Sequence, residues 1–173
     1  MKNLAKMAIV AGIAAFIGGS LNAQGQSKNK PGSLSTMAVI SNQQGDPMMV
    51  NRRALKDFVA TYKNVRGESW MTTRDGFAVR FNAEGTRNTV FYDRKGHWFG
   101  SIKNYSEDKL PATVRNIVKS QYYDYSIYNV EEVKSVLVPG SPTYIIHMED
   151  KANIKLLRIS DGEMEVWKEY KKA

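Results

Sequence analysis

The sequence predicts an α+β fold: a tandem duplication of a helix-plus-four-strand unit, giving one antiparallel sheet of about eight strands with two helices packed on one face. Three observations predict it. Two stretches carry apolar residues at helical spacing, and each is followed by runs in which apolar and polar residues alternate. Turn residues built around glycine separate those runs. The same order of elements then occurs twice between Asn51 and Lys168. Two copies are too few for a solenoid, which needs about three. Strands that are polar at alternate positions offer one apolar face, and each amphipathic helix needs such a face to cover.

The first unit is assigned to residues 51–106. Leu55, Phe58, Val59 and Tyr62 fall at i, i+3, i+4 and i+7, one stripe on a helix of about three turns. Asn51 is its N-cap, and Asn64 with Gly67 supplies the stop. A strand over 68–73 ends at Asp75-Gly76, a hairpin dipeptide. Phe77, Val79 and Phe81 then alternate with Ala78 and Arg80, the pattern of a half-buried strand. Glu84-Gly85 turns the chain into a strand over 88–92, and residues 93–96 turn it again into 97–103.

The second unit is assigned to 107–173. Pro111 suits the first turn of a helix, and Glu107-Asp108 suit the positive end of its dipole. Val114, Ile117, Val118 and Tyr122 repeat the first stripe, with Phe58-Val59 aligned on Ile117-Val118. A long strand over 125–138 is broken by Pro139-Gly140-Ser141-Pro142. Tyr144, Ile146 and Met148 alternate as Phe77, Val79 and Phe81 do. Strands over 154–159 and 164–168 flank Ser160-Asp161-Gly162. Aligned on this last hairpin, Val90-Phe91 matches Leu156-Leu157 and Gly96 matches Gly162.

Ahead of these units lies an address. Residues 1–6 hold two lysines and no acid, residues 7–19 are uncharged and mostly apolar, and small Ala23 precedes Gln24. This is the pattern of a cleaved secretory signal peptide over 1–23, cut after Ala23. The apolar run is shorter than the roughly 20 residues a bilayer span needs, so no membrane anchor is expected to remain after cleavage. Residues 24–50, rich in Gly, Ser, Gln, Asn and Lys, read as a flexible N-terminal linker. Within it Met37-Ala38-Val39-Ile40 could add an edge strand, and Gly45-Asp46-Pro47 marks a turn.

The chain of 173 residues has no cysteine and two histidines. Disulfide scaffolds, thiolate nucleophiles and Cys-ligated metals are therefore excluded. Export without disulfides points to a bacterial periplasmic or secreted protein with a core large enough to hold itself together. The formal charge of +8 falls to +6 once Lys2 and Lys6 are removed. Its Lys and Arg are dispersed, which predicts a cationic surface and no nucleic-acid partner. No serine sits in a G-x-S-x-G elbow, and no calcium loop, phosphate loop or dinucleotide fingerprint is present. No catalytic residue, cofactor or metal is expected. His97 reads as a solvent-edge residue, and Glu131-Glu132 as a solvated pair.

The strand at 77–81, the run from Val90 to Trp98, the helix opening at Leu110-Pro111, the stretch 123–127 and the Asp161-Gly162 turn together resemble one family. It is the PepSY-like, β-lactamase-inhibitor-protein-like (BLIP-like) group of exported bacterial proteins. The hairpin Tyr92-Asp93-Arg94-Lys95-Gly96-His97-Trp98 is similar to its tyrosine–aspartate–turn–glycine–tryptophan pattern. The resemblance covers about 51–170 and implies this fold and an exported binding module. It does not extend to the inhibitor's disulfides, which a cysteine-free chain cannot make.

The expected function is accordingly a non-enzymatic exported module. Its helix-free sheet face would engage a protein or a cell-envelope polymer in an inhibitor-like way. The alternatives are a small enzyme or metal-dependent sensor using the same face, and a structural envelope protein. His147 alternates with Ile146 and Met148, so it points to the helix-free side. Arg80, Trp98, Tyr125, Tyr128 and His147 are the candidate contact residues on that face.

Overall fold

The computed structural model describes residues 37–41 and 47–173. The proposed signal peptide, its cut after Ala23, and Gly45-Asp46 lie outside the described residues. The chain forms β1 (Met37–Ser41), β2 (Pro47–Asn51), α1 (Arg52–Thr61), β3 (Arg66–Thr73), β4 (Gly76–Ala83), β5 (Thr86–Asp93) and β6 (Trp98–Tyr105). A 3-10 turn at Glu107–Lys109 leads into α2 (Ala112–Gln121), β7 (Ser126–Ser135), β8 (Val138–Glu149), β9 (Asn153–Ser160) and β10 (Glu163–Lys171). Strands β3 to β10 make one antiparallel sheet in strict chain order, so each pairs only with its sequence neighbours. Helix followed by four strands therefore runs twice, as the hydropathy periods predict.

Strand registers place both helices on the same side. Phe77, Val79 and Phe81 of β4 lie beside Tyr92 and Val90 of β5, and all pack with Ala54 and Phe58 of α1. Across the sheet, Val130, Ile146 and Leu157 of β7 to β9 pack with Val114 and Val118 of α2. The Phe58 ring has Trp70, Phe81 and Tyr62 at centroid distances of 5.4, 5.1 and 5.4 Å. Each such burial removes an aromatic surface from water and contributes about 1.5–3 kcal/mol.

Asn51 caps α1 as expected, its Oδ1 accepting the Arg53 N–H at 2.9 Å. The same side chain donates to the Arg94 carbonyl at 3.2 Å, tying the β5–β6 turn to the helix start. Gly96 in that turn has φ +78°, and a Cβ there would lie 2.5 Å from Asn51 Oδ1 and 2.8 Å from Ala54 N. Only glycine fits both the backbone and the approach. The Glu84-Gly85 and Asp161-Gly162 turns have positive φ at both residues, the two-residue hairpin that follows the twist of a sheet.

The structure moves several sequence assignments. Val59 is exposed, because the buried stripe of α1 is centred on Ala54 and Phe58. Its counterpart in α2 is Val114 and Val118, so Phe58 corresponds to Val118 and not Ile117. Tyr62 and Tyr122 close both helices alike, each N–H reaching the carbonyl four residues back. Similarly Val90 and Leu157 occupy the helix side while Phe91 points away, a one-residue shift from the alignment on the last hairpin. The four-residue turn between β5 and β6 against the two-residue turn between β9 and β10 produces it.

Pro139–Pro142 does not end a strand. The β7–β8 turn is at Val136-Leu137, and the proline stretch loops out between the Ser135–Val138 and Val133–Thr143 pairs of the ladder. Proline has no N–H to donate, so it is tolerated at such an irregularity. Glu107-Asp108 form the 3-10 turn, and Glu107 pairs with Arg115 at 2.7 Å. Within the segment assigned as linker, the described residues form β1 and β2, which pair as a separate two-stranded sheet, and Val50 is fully buried in the first core cluster. An apolar residue with α1 beside it to pack on orders the end of a polar segment.

Candidate functional site

The side of the sheet opposite the helices carries no covering element among the described residues. Registers assign to it Ala78, Arg80, Arg87, Thr89 and Phe91 of β4 and β5, and Ile102 and Asn104 of β6. Glu131 and Val133 of β7, Ile145 and His147 of β8, Arg158 of β9 and Glu165 of β10 continue it. Uncovered does not mean wet. Ala78, Phe91, Ile102 and Val133 form a buried apolar cluster there, with Met71 and Phe99 packed against it. Ile145 is only 1% exposed. A single-layer sheet leaves such residues open to water unless its curvature and neighbouring long side chains enclose them.

Hydrogen-bonded polar pairs rise from this floor. The carboxylate of Glu131 accepts from His147 Nε2 at 3.1 Å, and Tyr128 sets its ring edge-on to that imidazole at 5.9 Å between centroids. On the outer strands Arg158 Nε meets Glu165 Oε1 at 2.6 Å. These pairs are shielded on one side by the sheet, where an interaction is worth more than on a convex surface. Among the described residues no three His, Cys, Asp or Glu side chains gather into a metal-binding group.

Arg80, Tyr128 and His147 thus share the uncovered face. Trp98 and Tyr125 do not. A bulge between β5 and β6 sets Trp98 opposite Tyr92, on the helix side, where it packs against the first core cluster. Tyr125 enters the second core cluster just before β7. Burial raises its phenol pKa, and so does the hydrogen bond it shares with Asp150. Lys155 lies over its ring at 5.8 Å. Neither face was readable from sequence, because bulges and strand entries break the period of two that assigns sides.

Sequence reasoning missed Glu131, Arg158, Glu165 and the apolar floor. One signal was present: adjacent strand residues point to opposite sides, so Glu131-Glu132 could not both be solvated alike. Glu132 turns to the helix side and accepts from the Tyr105 hydroxyl at 3.0 Å. That side holds a cleft of about 440 Å³ beside the C-terminal end of α1, lined among others by Asp57, Tyr62, Trp98 and Lys103. Tyr92 donates to Asp57 there at 2.9 Å. Burial, then the neighbouring carboxylate, raises the pKa of Tyr92 and Tyr105 so that both stay neutral donors.

An eight-stranded antiparallel meander with two helices on one side and an enclosed polar–apolar floor on the other defines a single-sheet module with one helix-free face. Solved structures share that fold. A BLIP-like protein from Bacteroides fragilis is 16% identical, with a TM-score of 0.58 over 72% of this chain and 87% of its own. A DUF2874 family protein from Bacteroides uniformis is 14% identical, with a TM-score of 0.55 over 69% and 87%. A candidate periplasmic protein from Bacteroides eggerthii is 16% identical, with a TM-score of 0.56 over 70% and 88%. At these identities the likeness is one of fold. No protein-family model matches the chain, and no curated protein does. No described helix is long and apolar enough to cross a membrane.

Proposed function

We propose that the chain is an exported, non-enzymatic binding module whose uncovered sheet face engages a protein or another component of the cell envelope. The observation that carries the reading is the floor of that face. Phe91, Ile102 and Ile145 are buried without a covering helix and are overlooked by Arg80, Tyr128 and the His147–Glu131 pair. Apolar centre, aromatic and arginine anchors and a charged rim are the anatomy of a recognition surface. The BLIP-like and candidate periplasmic structures of the same fold support export and a non-catalytic role. The leader pattern at 1–23 supports the same compartment.

Capture from an envelope extract tests this. The chain should retain a partner that a Tyr128→Ala/His147→Ala variant loses while keeping its fold by circular dichroism. Equal capture by both proteins would overturn the face assignment. Turnover of a substrate by the purified chain would overturn the non-enzymatic reading.

A further inference from the structure

The β3–β6 half of the uncovered face holds a depression of about 210 Å³, floored by Ala78, Phe91 and Ile102 and walled by Met71, Arg80 and Glu131. Small-molecule and cofactor pockets run to roughly 300–1,000 Å³, so this one has room for a side chain rather than a cofactor. Two polar groups at its edge lack partners. Among the described residues no carboxylate pairs with Arg80, which is exposed. Thr73 Oγ1, at the same depression, is buried with no hydrogen bond. A buried hydroxyl left unpaired is costly, and an incoming polar group would relieve it.

Charge selects what enters. On this side β4 and β5 carry Arg80 and Arg87. The one acid on the same side of β4 to β6 is Asp93, at the turn, where the Lys95 and His97 N–H groups hold its carboxylate. Glu131, on the far wall, is occupied by His147.

We propose that the depression is an anchor pocket for a protein partner, taking one apolar side chain whose acidic neighbour sets its carboxylate on Arg80. This rests on the uncovered face being the binding surface, and names the chemistry that face selects. An arginine beside an apolar slot discriminates by sign as well as by fit. The second polar contact falls to Thr73, whose hydroxyl can donate to the partner's main-chain carbonyl.

Amide chemical-shift titration of the chain with two blocked tetrapeptides, Gly-Leu-Asp-Gly and Gly-Leu-Lys-Gly, tests the pocket. The aspartate peptide should give saturable shifts centred on Ala78, Phe91 and Ile102. It should bind about threefold tighter than the lysine peptide, the preference an exposed ion pair supports. Arg80→Glu should reverse that preference, and Ala78→Phe, which fills the floor, should abolish both. Equal affinities, shifts centred elsewhere, or an unchanged preference in Arg80→Glu would overturn the proposal. So would concentration-dependent shifts without peptide, which would assign the depression to a second copy of the chain. Partner capture keeps the two readings apart. Loss in Tyr128→Ala/His147→Ala with full capture by Arg80→Glu and Ala78→Phe sinks the pocket and leaves the face, whereas equal capture by all variants sinks the face.

Discussion

Neighbouring residues of one strand face different environments, and Glu131 and Glu132 show how much that decides. Glu131 joins His147 on the uncovered face, and Glu132 holds the Tyr105 hydroxyl on the helix side. The same logic separates Phe58 from Val59. Phe58 is 1% exposed and Val59 57%, although both belong to the apolar spacing of α1. Phe58→Ala should cost about 3–5 kcal/mol in urea unfolding, since it empties a site enclosed by three aromatic rings. Val59→Ala should stay within about 0.5 kcal/mol. Asp150 gives a pH test. The backbone N–H of Ala152 first, then that of Asn153 and the Tyr125 hydroxyl, hold its carboxyl down at about 2. A depressed carboxyl stabilises the fold above its unfolded value of about 3.9 and loses that contribution as the pH falls towards 2. Wild type should therefore exceed Asp150→Asn in urea midpoint at pH 6, with the difference closing between about pH 4 and 2.

Elements were legible wherever a period or a turn dipeptide was clean. Asn51, Glu84-Gly85 and Asp161-Gly162 delimit elements as their residue types predict, because caps and positive-φ turns are local chemistry. What sequence left unread is tertiary. The side on which Trp98 falls depends on a bulge, and the path of Pro139–Pro142 on how much ladder can be given up beyond Thr143. The order of β1 and β2 depends on a place for Val50 against α1, which composition alone cannot supply. The β5–β6 turn makes the difference between local and tertiary roles measurable. Gly96 and Gly162 have nearly the same φ, +78° and +80°, but nothing lies within 4 Å of a Cβ at Gly162. Gly162→Ala should cost about 1–2 kcal/mol, the strain of a left-handed alanine. Gly96→Ala should cost at least about 1 kcal/mol more, because the added methyl meets the capped start of α1. Thermal unfolding of the two variants compares them directly.

At the scale of the molecule, two helix-plus-four-strand halves form one sheet with two unlike sides. The helix side is a core at both ends with an open cleft between them. The other side has an apolar cluster from Ala78 to Val133, with Ile145 buried beyond it, and no covering element among the described residues. On that asymmetry rests the proposal that the chain keeps one face for a partner. Alternation with apolar neighbours on their strands assigned Arg80 and His147 a side in the sequence, whereas the side of Tyr128, at a register shift between β7 and β8, and the floor beneath all three emerge only when β3 to β8 are laid side by side. Hydroxyl-radical footprinting of the chain with its captured partner tests the claim most directly. Met71, Tyr128 and His147 should be protected, while Tyr62, Trp98 and the 82% exposed Tyr123 keep their free rates. Protection of Tyr62, Trp98 or Tyr123, with Met71 and Tyr128 unchanged, would place the partner on the helix side and contradict the account.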